Sequence, residues 1–343
     1  MKASALFFVE PYKVEIRTLD VEALGDGEVL IRSRLSAISS GTELLLYRGQ
    51  TPRDMVVDSV IPSLPGELNY PHQYGYSTVG QVEDIGNGVD EDWLGRRVFS
   101  FHPHQSLFKS HVDHVIAVPD GLSDEEATFL PNMETAVNLL HDGNPLLGER
   151  IAIFGQGIVG LLTTALLARI PLARLITLDR FELRRSASRK FGAEYSFDPE
   201  INDLSATLSQ NFGAPDNDGS ADLIYELSGN PKALDQAISA SGFHTRIVIG
   251  SWYGVKETTL DLGRSFHRNR IRIISSQVST IRPELSGRWK KKRRLNFALQ
   301  MIETIRPAEL ITHRFSLESA AQAFALLDKQ AAKTIQVLLR YES

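Results

Sequence analysis

The chain has 343 residues, carries 37 Lys and Arg against 42 Asp and Glu for a formal net charge of −5, and contains no cysteine. The length suggests two domains. The mild acidity argues against a nucleic-acid partner, and the missing thiols exclude disulfides, thiol nucleophiles, iron–sulfur clusters and thiolate zinc sites. No basic leader precedes a cleavable apolar run at the N-terminus, and the longest apolar stretch, Ile158–Leu167, falls short of the ~20 residues a bilayer demands. A cytoplasmic protein with no membrane partner is expected.

Along the first 118 residues, short apolar runs recur at Ala5–Val9, Glu28–Arg32, Gly80–Ile85, Arg97–Phe101 and Val115–Val118. Turn residues such as Gly25-Asp26-Gly27 and Gly86-Asn87-Gly88 separate them, a spacing that predicts a β-barrel or sandwich. At Ser123 the texture changes, because Ser123-Asp124-Glu125-Glu126 reads as a cap and an acidic first turn. Helices over Ala127–Leu130 and from Asn132 to His141 follow. Apolar runs at Ile151–Phe154, Leu175–Leu178, Leu223–Leu227, Ile247–Ile249 and Arg272–Ser275 then alternate with helical patterns at Gly157–Arg169, Phe181–Phe191 and Pro231–Ser241. That alternation predicts an α/β fold with a doubly wound parallel sheet covered on both faces. Helices near Arg293–Glu303 and Ser316–Lys329 and a strand over Lys333–Leu339 complete the reading; the basic run Trp289–Arg294 is expected to be a solvated helix start.

Chemistry enters at Ile151–Gly160, where a strand runs into Gly155-Gln156-Gly157-Ile158-Val159-Gly160 and then into an apolar helix. Gly155 permits the tight turn, Gly157 lets backbone approach a pyrophosphate, and Gly160 lets the helix pack close. The helix start, with Ile158 and Val159, offers N–H groups and positive dipole to phosphates. A second strand ends at Asp179, 19 residues after Gly160, placed to accept from ribose hydroxyls. Asp179 favours NAD over NADP because a carboxylate repels a 2′-phosphate, although Arg180 beside it suits that phosphate. Gly250 and Ser251, with Trp252 and Tyr253, follow another strand end and are expected to line the cofactor pocket.

The order of these pieces resembles the medium-chain dehydrogenase/reductase superfamily of alcohol and polyol dehydrogenases. The resemblance rests on Gly25–Ile31, Ile38–Glu43, Gly75–Gly80, Gly95–Val98, the glycine loop and Ile249-Gly250, and it covers nearly the whole chain. It implies a GroES-like β-barrel catalytic domain over 1–129, a Rossmann dinucleotide-binding domain over 130–282 and a return to the catalytic domain over 283–343. It also implies a homodimer joined through the Rossmann sheet edge, near Arg272–Ser275. Zinc-dependent members carry a cysteine where this chain has Ser40 and a histidine where it has Tyr76; a third ligand position falls on Glu134. A hydroxyl and a phenol replace thiolate and imidazole poorly, so a zinc-lacking branch with no metal is expected. Ser39–Glu43, Leu130–Val137 and Gly287-Arg288-Trp289 resemble a subgroup that includes bacteriochlorophyllide (hydroxyethyl) dehydrogenase.

Without zinc, organic side chains must handle the substrate oxygen. Thr42 matches the family position whose hydroxyl touches that oxygen, and Tyr76 stands where a metal ligand would. His102 and His104 flank Pro103 and read as a proton shuttle, as surface histidines, or, with Glu134, as a repurposed metal site; alternation would bring both imidazoles to one face. Glu134 otherwise orients Tyr76 or an imidazole. Thr42, Tyr76, His102 and Glu134 are therefore the catalytic candidates. The expected activity is zinc-independent, NAD(P)-dependent interconversion of a secondary alcohol and a ketone, the small-molecule substrate lying in the interdomain cleft. Reduction of an activated C=C bond or quinone, and dinucleotide binding without catalysis, are the alternatives.

Overall fold

A computed structural model of the chain describes residues 1–52, 63–64, 66–213 and 219–342. Most of the segment Gly49–Asn69, which the sequence leaves unread, lies outside the described residues. The chain forms two compact units, Met1–Pro131 with Ile302–Ser343, and Asn132–Met301.

The first unit is built from two sheets. Lys2–Glu10 pairs with Lys13–Asp20 on one side and His72–Gln73 on the other, all antiparallel. The larger, seven-stranded sheet runs in the order Ile311–Ser316, Gln336–Arg340, Glu28–Ile38, Thr78–Ile85, Arg97–Ser100, Val115–Ala117, with Leu107–His111 also paired to Glu28–Ile38. Its strands alternate as half-buried strands do, so that Val29, Ile31, Val82, Val98 and Phe108 share one core. The C-terminal strand Gln336–Arg340 lies antiparallel against Glu28–Ile38, which ties the chain's end into the sheet formed by its beginning.

The second unit holds a six-stranded parallel sheet in the order Tyr195–Phe197, Arg174–Leu178, Arg150–Phe154, Ala221–Glu226, Ser241–Ile249, Arg272–Ser275. Helices Ile158–Leu167, Glu182–Lys190 and Pro231–Ser239 connect its strands. Strands with apolar residues on both faces, such as Arg150–Phe154 with four of its five residues buried, are what such a doubly covered sheet requires. Arg272–Ser275 is an edge strand. Among the described residues no helix is long and apolar enough to cross a membrane.

The boundary expected at residue 283 is corrected: the chain returns to the first unit at Ile302, inside the helix Lys291–Ile305. Arg294 is the physical reason. It is fully buried and bonds Glu134 and Asn138 of the helix Leu130–Gly143, holding the stretch before Ile302 within the second unit.

Candidate functional site

In the second unit the candidate residues gather where the parallel strands end, the edge at which open α/β sheets bind ligands. Arg150–Phe154 delivers the glycine loop. Gly155 has φ +95°, and a β-carbon there would lie 2.5 Å from the Ser228 backbone. A β-carbon on Gly160 would lie 2.0 Å from the Gly155 carbonyl oxygen, so close packing of the helix on the turn demands glycine. Gly157 caps the helix Ile158–Leu167, and a β-carbon on it would meet nothing nearer than the Arg184 guanidinium at 4.0 Å. The space above Gly157 is therefore open, and the N–H groups of Ile158 and Val159, in the first turn, have no intrahelical acceptor. An anionic group can approach backbone there.

Asp179 follows the strand Arg174–Leu178 and is 7% exposed. One carboxylate oxygen accepts from the Gln156 N–H at 2.8 Å and the other from the Phe181 N–H at 2.9 Å. The carboxylate is thus fixed at the rim of the loop, with the Arg184 guanidinium 3.8 Å away. Arg180 points outward and pairs with Glu200 at 3.0 Å. The Gln156 side chain turns inward. It donates to the Gly155 carbonyl and accepts from the Thr164 hydroxyl, so it braces the loop and its N–H is taken by Asp179. Ser251 likewise braces, its hydroxyl accepting from the Gly229 N–H at 2.9 Å. Gly250 lets Leu139 and Leu227 close over the strand end, both within 2.7 Å of where its β-carbon would stand. Tyr253 donates its phenol to the buried Glu226 carboxylate at 2.5 Å.

The first unit carries a cluster of hydroxyls. The Tyr76 phenol donates to Ser39 Oγ at 2.5 Å and lies 3.5 Å from Thr42 Oγ1. Thr42 opens the six-residue helix Thr42–Tyr47. Ser39 and Glu43 fix that helix start reciprocally, in the manner of a capping box: Ser39 Oγ accepts from the Thr42 N–H, and the Glu43 carboxylate accepts from the Ser39 N–H at 2.9 Å. Behind it runs a buried chain. The second Glu43 oxygen meets His104 Nε2 at 2.9 Å, His104 Nδ1 meets Ser36 Oγ at 2.7 Å, and Ser36 meets the Tyr341 hydroxyl at 2.8 Å. Glu43, His104 and Ser36 are each 0% exposed. A network satisfied at every member is rigid, and this one holds Ser39, hence the phenol of Tyr76, in place.

A profile described as zinc-binding dehydrogenase matches residues 159–293. Starvation-sensing protein RspB of Escherichia coli K12 is 21% identical, with 98% of this chain and 99% of that protein aligned. Sorbitol dehydrogenase of Bacillus subtilis is 25% identical over 70% of this chain and 72% of its own. The crystal structure of an alcohol dehydrogenase (rspB) from E. coli CFT073 in complex with NADH superimposes with a TM-score of 0.79 at 17% identity, covering 99% of both chains. Over most of its length the chain is thus similar to dehydrogenases, as the resemblance to the medium-chain dehydrogenase/reductase superfamily implies.

The sequence-derived candidates divide unevenly. The structure brings together Gly155, Gly157, Gly160, Asp179, Gly250 and Ser251 at one sheet edge, and Thr42 with Tyr76 at one helix start. His102 stands apart from that hydroxyl pair. Its ring stacks on Phe108 at 3.7 Å and its Nδ1 meets the Pro103 carbonyl; burial lowers its pKa to about 4, so it holds no extra proton to deliver near neutrality. The two imidazoles expected on one face have different partners, His104 being bound to Glu43 and Ser36. Glu134, 2% exposed, is taken up by Arg294, whose Nε and Nη2 both donate to Oε1 at 3.1 and 2.9 Å. The expected solvation of the basic run fails at that same Arg294. Sequence reasoning missed Glu43, Ser39 and Arg294. Helical phase carries the signal for the last, since Arg294 lies four residues before the fully buried Ala298.

Proposed function

We propose that the protein is a zinc-independent oxidoreductase that interconverts a secondary alcohol and a ketone with a nicotinamide dinucleotide, NAD in preference to NADP. The glycine loop carries the reading: an open approach at Gly157, a helix start whose first N–H groups lack intrahelical acceptors, and an acidic side chain fixed at the rim. These residues fit a dinucleotide, with the pyrophosphate over Gly157–Val159 and the ribose hydroxyls at Asp179. Such a cofactor, when bound, supplies the site that accepts or delivers hydride. Asp179 supports NAD because its charge opposes a 2′-phosphate, and Arg180 is engaged by Glu200.

The residues at the superfamily's metal positions do not fit zinc. Tyr76 is a phenol already bonded to Ser39, Ser40 is a hydroxyl, and the chain has no cysteine. Among the described residues no three His, Cys, Asp or Glu side chains are gathered to hold a metal ion. The substrate oxygen must then be met by O–H donors. In the ketone-reducing direction, the Thr42 hydroxyl and the Tyr76 phenol, once its proton swings from Ser39 Oγ to the substrate, are the groups able to donate as negative charge develops on that oxygen, with Ser39 holding the phenol in place beforehand. Tyr76→Phe removes one donor and is expected to lower kcat about 100-fold or more, with dinucleotide affinity unchanged. The check is alcohol-dependent reduction of NAD over a panel of secondary alcohols. An unaltered kcat in the variant, or NADH consumption with enones and quinones alone, would overturn the proposal.

We also infer a homodimer joined at the Arg272–Ser275 strand, in a cytoplasmic setting. The strand sits at the sheet edge with Ile273 36% exposed, the kind of edge that pairs with another chain. Light scattering at micromolar concentration is expected to give twice the chain mass; the mass of one chain would contradict it.

A further inference from the structure

A cavity of about 860 Å³ opens in the second unit beside the start of the helix Lys291–Ile305. Arg288, Lys290, Lys292 and Arg293 line it with Trp289 and Phe297, and among the described residues no acidic side chain does. Its aromatic wall is braced. The Arg293 guanidinium lies 4.1 Å from the Trp289 ring and donates to the Arg288 carbonyl. The His141 ring packs on Trp289 at 4.3 Å, and Phe297 meets Trp289 edge-on at 6.5 Å. A smaller chamber of about 270 Å³ shares His141 and Phe297 with the first and is walled by Val137, Leu140, Leu166 and Ile170. Arg169 also borders it, its guanidinium donating to the Ala165 carbonyl at 2.6 Å. A basic, aromatic mouth thus adjoins an apolar recess. Burial, with Arg294, Arg282 and Arg293 nearby, lowers the His141 pKa to about 4.

This place is separate from the glycine loop. Arg169 and Ile170 lie just beyond the C-terminal end of the helix Ile158–Leu167, whose other end is capped by Gly157. A helix of that length spans ~15 Å. The recess therefore sits about a helix length from the dinucleotide loop, toward the opposite edge of the sheet.

We propose that the two cavities form a second binding site, for an organic anion with an apolar tail: a straight-chain carboxylate of medium length. The carboxylate lies among Arg288, Lys290 and Lys292, and the chain passes Trp289 and Phe297 into the recess. A charged head held by several cations, with its apolar chain removed from water, uses both halves of the site. Neither half alone gives selectivity.

Titration calorimetry on the full chain tests this with sodium decanoate below its micellar range, alongside butyrate, decylammonium, inorganic phosphate and phosphatidylglycerol vesicles. Decanoate is expected to bind saturably, at least tenfold more tightly than butyrate or phosphate, with decylammonium not binding. Charge reversal by Lys290→Glu with Lys292→Glu, both exposed, is expected to weaken decanoate at least tenfold and leave NADH affinity unchanged. If that variant loses its thermal transition, Lys290→Gln with Lys292→Gln is read instead, with an expected threefold loss. No saturation by decanoate, equal binding to both proteins, phosphate binding as tightly as decanoate, or a response to vesicles alone would each overturn the proposal. Failure here leaves dinucleotide binding at Gly157 intact, so the two readings are separately tested.

Discussion

Replacing Arg294 by methionine should destabilise the second unit by about 3–5 kcal/mol, the cost of leaving one member of a buried ion pair unpaired. Arg294 is 0% exposed and is a hub. It donates to Glu134 through two nitrogens, to Asn138, and to the carbonyls of Val278 and Thr280. Asn138 in turn donates to Asp142 and Ser276. Removing the guanidinium strands a carboxylate and two carbonyls in the interior, where each lacks water to replace the lost partner. For a unit of this size the midpoint should fall by roughly 10 °C. The double variant Arg294→Met with Glu134→Met should regain the part of the loss due to the stranded carboxylate, because a buried pair replaced by apolar residues of similar volume is close to neutral, while the carbonyls of Val278 and Thr280 stay unpaired. Calorimetric scans of the single and double variants decide the matter. An unchanged midpoint in Arg294→Met would show that the pair does not hold this unit together.

The second large effect separates two glycines that the sequence motif treats alike. Gly160→Ala should both lower the melting temperature and abolish measurable dinucleotide binding. Its β-carbon has the Gly155 backbone carbonyl oxygen 2.0 Å away, a clash that no side-chain motion relieves, so the helix must move off the turn. Gly157→Ala should leave the melting temperature within a degree or two of the parent, since its φ is −66° and its surroundings are open to 4.0 Å. It should nevertheless weaken NADH binding at least tenfold, because the methyl group occupies the space a pyrophosphate needs. Fluorescence titration with NADH and thermal scans on both variants check this. Undiminished binding by Gly157→Ala would mean that the phosphates lie elsewhere.

Much of the second unit was legible because its signals are local. The strand Arg150–Phe154, the glycine loop and the helix after it are contiguous, and each follows from residues within a few positions of one another. The alternation of apolar runs with helical patterns likewise fixes a parallel sheet without knowledge of distant partners. What escaped was nonlocal or polar. Glu43, His104, Ser36 and Tyr341 are joined across separations of 61, 68 and 305 residues, and no spacing rule reaches that far. The strand Lys13–Asp20 reads as polar because it lies at a sheet edge and Val14 is its one buried residue. Glu134 and Arg294 are 160 residues apart, and a run of five basic residues around the arginine resembles a solvated surface. Only its phase with Ala298 betrays the inward turn.

The phenol–hydroxyl group at Ser39, Thr42 and Tyr76 stands at the centre of the functional account, and metal content measured together with turnover tests it most directly. Tag-free protein, assayed for alcohol-dependent reduction of NAD before and after exhaustive chelation with elemental analysis of the same sample, should keep its full rate with far less than one metal ion per chain. One tightly held transition metal per chain, with turnover lost on its removal and restored on its return, would contradict the account.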